Sequence, residues 1–442
     1  MIKKTLLITI PILVIVFTVI IFYSIKEDKN ITKLYEGGNF NIEKGINTPK
    51  LASGMTAIKW ENSEIVEIKN PKKDSTWYDY DDGKWANAIS EDGSMWVWIP
   101  RYAYQIEFGY HNNIPGVINI KFLMGTTNDT TENTPTYSDE GGSKNWNVHP
   151  AFTNTKSKLD IGWDTEIEGF WVAKFEAGRG TVSSNLKYGV DNGKANEEIN
   201  MKGEIINYPV FKPNEIALNY INSNDIYAIS KDLVVNNNPY GFKSSEIESL
   251  QITNAGWGAV AYLSHSKYGT DGAPIEINDT ATEIDMGTAI TGGEDYKVNV
   301  GESSTFNTYG VYDLVGGSWE RVAGILDNRN SNIDIYISLL KKDKNTKYVD
   351  IYSVKDDDKA LLNYNETKNK YGDAMYETSN SATDSNAWNK AYSLMVEKNA
   401  PVIRRGGGNQ DKDKAGLFAF YITAGCETNA NTSFRVVLVN KK

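Results

Sequence analysis

YGVYDLVGGSWE, residues 309–320, is the stretch on which the reading of this chain turns. Gly310 and the pair Gly316-Gly317 supply backbone freedom for turns at positive φ. Val311 and Leu314 are candidate core residues. Trp319 brings a large apolar body with one donor, and Glu320 can accept from it or from a nearby backbone N–H. The residues alone describe a packed strand-turn hinge. Two shorter strings follow it: IRRGGG at 403–408 and SFRVVL at 433–438. In the first, Arg404 and Arg405 precede the glycines Gly406, Gly407 and Gly408. That pattern suits either an anion-binding nest of backbone N–H groups or a buried arginine bracing a tight turn. It is not a P-loop, because no Gly-Lys-Ser/Thr follows a four-residue spacer.

In order and spacing, these strings resemble the formylglycine-generating, sulfatase-modifying family, whose members read roughly G-L-Y-D-M-V-G-N-V-W-E-W, then R-G-G-S, then G-F-R. Trp319, Glu320, Arg405, Gly406, Gly407 and Arg435 occupy the motif positions. The likeness extends over most of residues 95–438. Trp98-Ile99-Pro100 fits the family's first core strand, and Phe122-Leu123-Met124-Gly125 supplies its M-G after an insertion. GFWVAKFE at 169–176 matches its F-Y-I-G-K-Y-E-V-T strand. Tyr208-Pro209-Val210 leads into a first helix over 217–229, and 246–263 reads as a second. The resemblance implies an α+β, C-type-lectin-like fold with long polar insertions.

It does not carry over the family's oxidase chemistry. That chemistry uses two cysteines five residues apart after R-G-G-S, which bind copper. Here those positions fall near Asp411 and Gly416, and the segment holds no thiol. Carboxylates and amides do not replace thiolates as copper(I) ligands. The Asn that follows V-G in the family, a calcium-site residue, is Gly317 here. No cofactor is therefore expected; calcium stays open, with Asp313 and Glu320 as the oxygen donors at hand. Cys426 is the single cysteine, so no intrachain disulfide forms. It reads as a small buried hydrophobe. The three histidines have no metal-ligand spacing, and His149 reads as a structural residue.

The 442-residue chain carries a net charge of −11, which argues against a nucleic-acid partner. An uncharged apolar run from Leu6 to Tyr23 follows Lys3 and Lys4. As a helix it spans roughly 27 Å, close to a bilayer core. No small-x-small cleavage site follows. The expectation is an uncleaved transmembrane signal-anchor over 1–25, with the rest of the chain outside the cell. A polar linker is expected over 26–55, a small β extension over 56–94, and the family-like domain over 95–440. Residues 77–85 read as a hairpin, MWVWIPRYAY at 95–104 as a strand, and 327–399 as a polar loop tract.

With the thiols missing, the expected function is recognition. Asn409, Gln410, Asp411, Tyr421 and Asn429 lie where the lectin-like fold presents variable loops. They mix adaptable hydrogen-bonding groups with an aromatic anchor, as binding surfaces do. The ligand class is an extracellular glycan or protein segment. The alternatives are an enzyme of the same family acting without paired thiols, and a structural surface component.

Overall fold

The computed structural model describes residues 40–130, 145–180, 208–282, 287–327, 334–353, 367–381, 383, 385–426 and 429–441. The expected anchor at 1–25 and the first part of the linker lie outside these residues. Among the described residues no helix is long and apolar enough to cross a membrane. The architecture is α+β, dominated by sheets with few helices.

Phe40–Asn41 (β1) pairs antiparallel with Ile46–Asn47 (β2). Asn47 is fully buried, donating to the carbonyls of Gly125 and Glu168 and accepting from the Gly125 N–H. Residues 40–55, expected as linker from their polar composition, therefore pack against the domain. Asn47 is buried because backbone groups satisfy its amide on both sides.

Met55–Glu61 (β3) and Glu64–Glu67 (β4) form a hairpin. Its turn residues, Asn62 and Ser63, both have positive φ, the geometry that matches strand twist. Asn87–Ser90 (β5) follows, then Met95–Pro100 (β6). Residues 56–94, expected as a small β extension, form the β5-β3-β4 end of the seven-stranded sheet. The 77–85 segment is a tight turn rather than a stranded hairpin: Asp79 and Lys84 exchange two backbone bonds of 2.8 Å around Gly83.

The strand expected at 95–104 divides at Pro100, the residue expected to end its regular pairing. β6 stops at Pro100, which has no N–H to extend the ladder. Arg101 turns the chain, its guanidinium 2.7 Å from the Phe152 carbonyl. Tyr102–Ile106 (β7) then enters a different sheet with Ile118–Phe122 (β8) and Asn147–Val148 (β9), in the order β8-β7-β9.

A short helix, Lys156–Leu159 (α1), precedes Gly169–Ala173 (β10). The first expected helix forms later than predicted, over Ser223–Asp232 (α2), because the Asn222 side chain caps the Asp225 N–H. The second is shorter than predicted. Ile247–Gln251 (β11) is a strand, and Thr253 caps Asn254–His265 (α3) through the Gly256 N–H. Gly258 lets α3 approach the chain at 372–373: a Cβ there would sit 2.0 Å from the Gly372 carbonyl oxygen.

Trp319–Leu326 (β12), Ser338–Lys342 (α4), Asp350–Tyr352 (β13), Val402–Gly406 (β14), Gly416–Thr423 (β15), Thr432–Phe434 (β16) and Val436–Asn440 (β17) complete the chain. The second large sheet runs β13-β12-β14-β15, with β16 parallel to β12. The first runs β11-β17-β10-β6-β5-β3-β4, so β17 lies between β10 and β11. The described parts of the 327–399 tract are not loose loops. Ile337, Leu340, Val349 and Ile351 pack with Tyr227 and Val402, and Met375 and Trp388 join the main core.

Candidate functional site

Three sequence strings converge at the start of β12. Glu320 stands opposite Arg405 on β14 and Ser433 on β16. Arg435, just after β16, donates to Glu320 and caps the carbonyls of Ala173 and Tyr312, each at 2.7 Å. Both side chains are fully buried. Burial pushes the Glu320 carboxyl up to about 7, against the opposing pull of Arg435.

Between the two open readings of the glycine run, the geometry favours the tight turn. Arg405 is buried, donates to the Ala374 carbonyl at 2.9 Å and lies over the rings of Trp257 and Phe420. Burial pushes it down to about 10, opposed chiefly by nearby Asp373. Gly406 and Gly407 both have positive φ, and a Cβ on Gly407 would meet Ala415 at 2.5 Å. The Gly408 N–H, a candidate nest donor, is taken by Asp411 Oδ2 at 2.7 Å.

The five expected ligand-binding residues divide. Asn409 is buried; its amide donates to the Thr280 carbonyl and its N–H to that of Gly317. Asn429 accepts from the Tyr220 N–H through its main chain. These two are internal ties, because each Asn closes a loop against the scaffold. Gln410 is exposed, with half-buried Asp411 beside it on the turn. Tyr421, half-exposed on β15, joins this corner through Trp319. A Cβ on Gly408 would lie 3.3 Å from the Trp319 ring, whose centroid is 5.6 Å from that of Tyr421.

Sequence reasoning placed Arg404 only in the glycine-run motif and missed Tyr392 and Lys414. The Arg404 guanidinium sits 5.0 Å from the Trp319 ring and 4.8 Å from Tyr421. Tyr392 lies 5.7 Å from Tyr421, and Lys414 lies over Tyr392 at 4.8 Å. The result is a ladder of cations and rings with Gln410 and Asp411 at its edge. Strand alternation could have revealed Arg404: with Arg405 buried, its neighbour must face the other way. Such a surface can stack a ring-faced ligand and present fixed hydrogen-bonding groups around it.

The copper thiolates of the resembled family have no counterpart in this chain. Their two positions hold Asp411 and Gly416. Asp313 Oδ1 accepts from Asn278 and from the Gly292 N–H, and Glu320 is engaged by Arg435. Among the described residues no group of three or more His, Cys, Asp or Glu could hold a metal ion. His149 is buried within the aromatic core, accepts from the Ala151 N–H, and is pushed down to about 3 by burial. Cys426 is half-buried rather than fully enclosed.

A second polar group, also missed, lies inside the core. Glu377 accepts from Tyr104, Tyr262 and the Gly372 N–H, and Asp373 accepts from Tyr352. Both carboxyls come from the tract expected to be a polar loop. No known protein-family model matches the chain, and no curated protein matches it.

Proposed function

We propose that this is a membrane-anchored, extracellular recognition protein with a C-type-lectin-like scaffold of the sulfatase-modifying type. The observation that carries the binding function is the ladder Lys414, Tyr392, Tyr421, Arg404 and Trp319, flanked by Gln410 and Asp411. Tyr392 and Tyr421, half-exposed and flanked by Lys414 and Arg404 beside the buried Trp319, form a rigid platform, which binds at low entropic cost. The scaffold reading is supported by the meeting of Glu320, Arg405 and Arg435, residues far apart in sequence that the resemblance groups into one signature. The apolar run from Leu6 to Tyr23 supports the anchor.

The ligand class is a glycan or an exposed peptide, captured by stacking and by hydrogen bonds from the turn at Gln410. A glycan and peptide array probed with the full-length chain in detergent, with and without calcium, tests this. The expected result is a specific hit that is lost in the Q410A/D411A/Y421A variant while thermal unfolding is unchanged. Capture that survives the triple substitution would sink the assignment to this surface.

A further inference from the structure

The loop joining β7 to β8 carries apolar side chains into solvent, and its backbone is not free to turn them in. Phe108, Ile114 and Val117 are 54%, 62% and 39% exposed. Backbone bonds at four points hold the loop. The Glu107 N–H donates to the Val117 carbonyl at 3.0 Å and the His111 N–H to that of Glu377 at 2.8 Å. The Gly109 carbonyl accepts from the buried Trp388 indole at 3.1 Å, and the Gly116 carbonyl lies 2.8 Å from Nε2 of the buried His265. The two glycines meet so closely that a Cβ on Gly109 would fall 2.7 Å from the Gly116 backbone, which gathers the three apolar residues at one tip. Residues 108–117 hold no Asp, Glu, Lys or Arg, in a chain that is 23% charged. Apolar surface held outward in this way marks a site of contact.

What the tip meets follows from where the chain enters the domain. The described residues begin at Phe40 on β1, and the turn of that hairpin presents Ile42, 49% exposed. Lys44 and Gly45 of the same turn line one cleft with Gly116 and Val117. Of the nine large apolar side chains exposed among the described residues, four therefore sit on two turns that border this cleft. Residues 24–39 join Phe40 to the apolar run ending at Tyr23, a reach of at most about 55 Å. We propose that the β7–β8 loop and Ile42 seat the domain on the outer leaflet of the bilayer that the N-terminal anchor crosses. Docking of this kind presupposes the anchor proposed above. A tether of that length keeps the tip at high local concentration beside lipid, so a few apolar side chains suffice where they would not hold a free protein. Trp146 and Tyr268, half-buried on the same cleft, are residue types that settle at a bilayer interface. The net charge of −11 gives no attraction to anionic headgroups, so the contact is apolar and is expected on a zwitterionic bilayer.

The full-length chain in phosphocholine nanodiscs tests this, with a fluorophore on I114C in a C426S background and on V298C as control. Val298 is 72% exposed, and its neighbour Lys297 pairs at 3.8 Å with Glu64 on β4, at the edge of the seven-stranded sheet. Apolar side chains that enter a bilayer interface sink about 5–10 Å, within reach of a nitroxide near the headgroup end of a lipid acyl chain. Quenching of the 114 label at least about threefold above that of the 298 label is expected. Adding F108S and V117S is expected to bring the 114 label down to the control. Equal quenching at both positions would overturn the docking. A blue-shifted 114 label that the nitroxide lipid leaves unquenched would put the tip against protein and overturn the lipid assignment. Alkaline carbonate washing of vesicles reads the anchor separately. A chain that washes off would overturn the anchor and this docking together, whereas a chain that stays with an unquenched 114 label would overturn the docking alone.

Discussion

Glu320 Oε1 and Arg435 Nη2 meet at 2.6 Å with neither side chain reaching solvent, joining the central strand of one sheet to the chain entering the other. Removing one partner leaves a buried charge alone, which costs about 3–5 kcal/mol. Both E320Q and R435M should lower stability to urea by that order. R435K should fail to rescue, because one ammonium cannot also reach the Ala173 and Tyr312 carbonyls. A loss below about 1 kcal/mol in either single variant would show that the pair does not hold the sheets together.

Glu302 gives a pH prediction. Burial, and then nearby Asp313, pushes its carboxyl up to about 8. Between its unfolded value and 8 the folded state holds a proton that the unfolded state releases. This contribution to stability is therefore complete at low pH and is lost as pH rises through that window. The urea midpoint of E302Q should be flatter between pH 5 and pH 8 than that of the parent. Parallel curves would refute the shift.

The two glycines of α3 should behave differently. A methyl at Gly258 meets backbone, the Gly372 carbonyl at 2.0 Å. G258A should cost at least about 1–3 kcal/mol by overpacking. A methyl at Gly256 meets no backbone, only the Ile252 side chain at 3.0 Å. G256A should be close to neutral, because helix propensity returns up to about 1 kcal/mol. Thermal melts of the pair check this, and equal destabilisation would contradict the packing described.

Adjacent arginines should separate binding from folding. R404A removes the cation between Trp319 and Tyr421 and should abolish ligand capture, with a stability change near 0.5–1 kcal/mol. R405A empties a fully buried site over Trp257 and Phe420 and should cost about 3 kcal/mol or more. Array binding and thermal unfolding, run on both variants, read the two effects apart. An R404A protein that still binds would remove the ladder from the mechanism.

The α+β class could be read from the sequence. Residues 309–320 pack as the expected strand-turn hinge and Arg405 as the expected buried brace, because large buried side chains and glycine turns leave few alternatives. Residues 246–263 misled because Ile247 and Leu250 stand at a helical spacing of three and are both buried only because β11 is covered on both faces, and the break came from a cap at Thr253 that only the fold reveals. Asn409 looks like a surface residue in sequence, yet its loop turns it inward, and half-exposed Asn429 is held through its main chain. Asp373 and Glu377 were illegible for a similar reason. An acid is buried when distant tyrosines meet it, and Tyr104 lies 273 positions from Glu377.

The position of β17 dictates the order in which this protein can mature. It sits between β10 and β11, so the sheet is split until residues 436–440 have left the ribosome. By then β10 has waited for more than half the chain to be made. The edge of β10 at Trp171 stands open for all of that interval, and that of β11 at Leu250 from its own synthesis onward. A folding helper that shields bare edges would act until the last strand arrives.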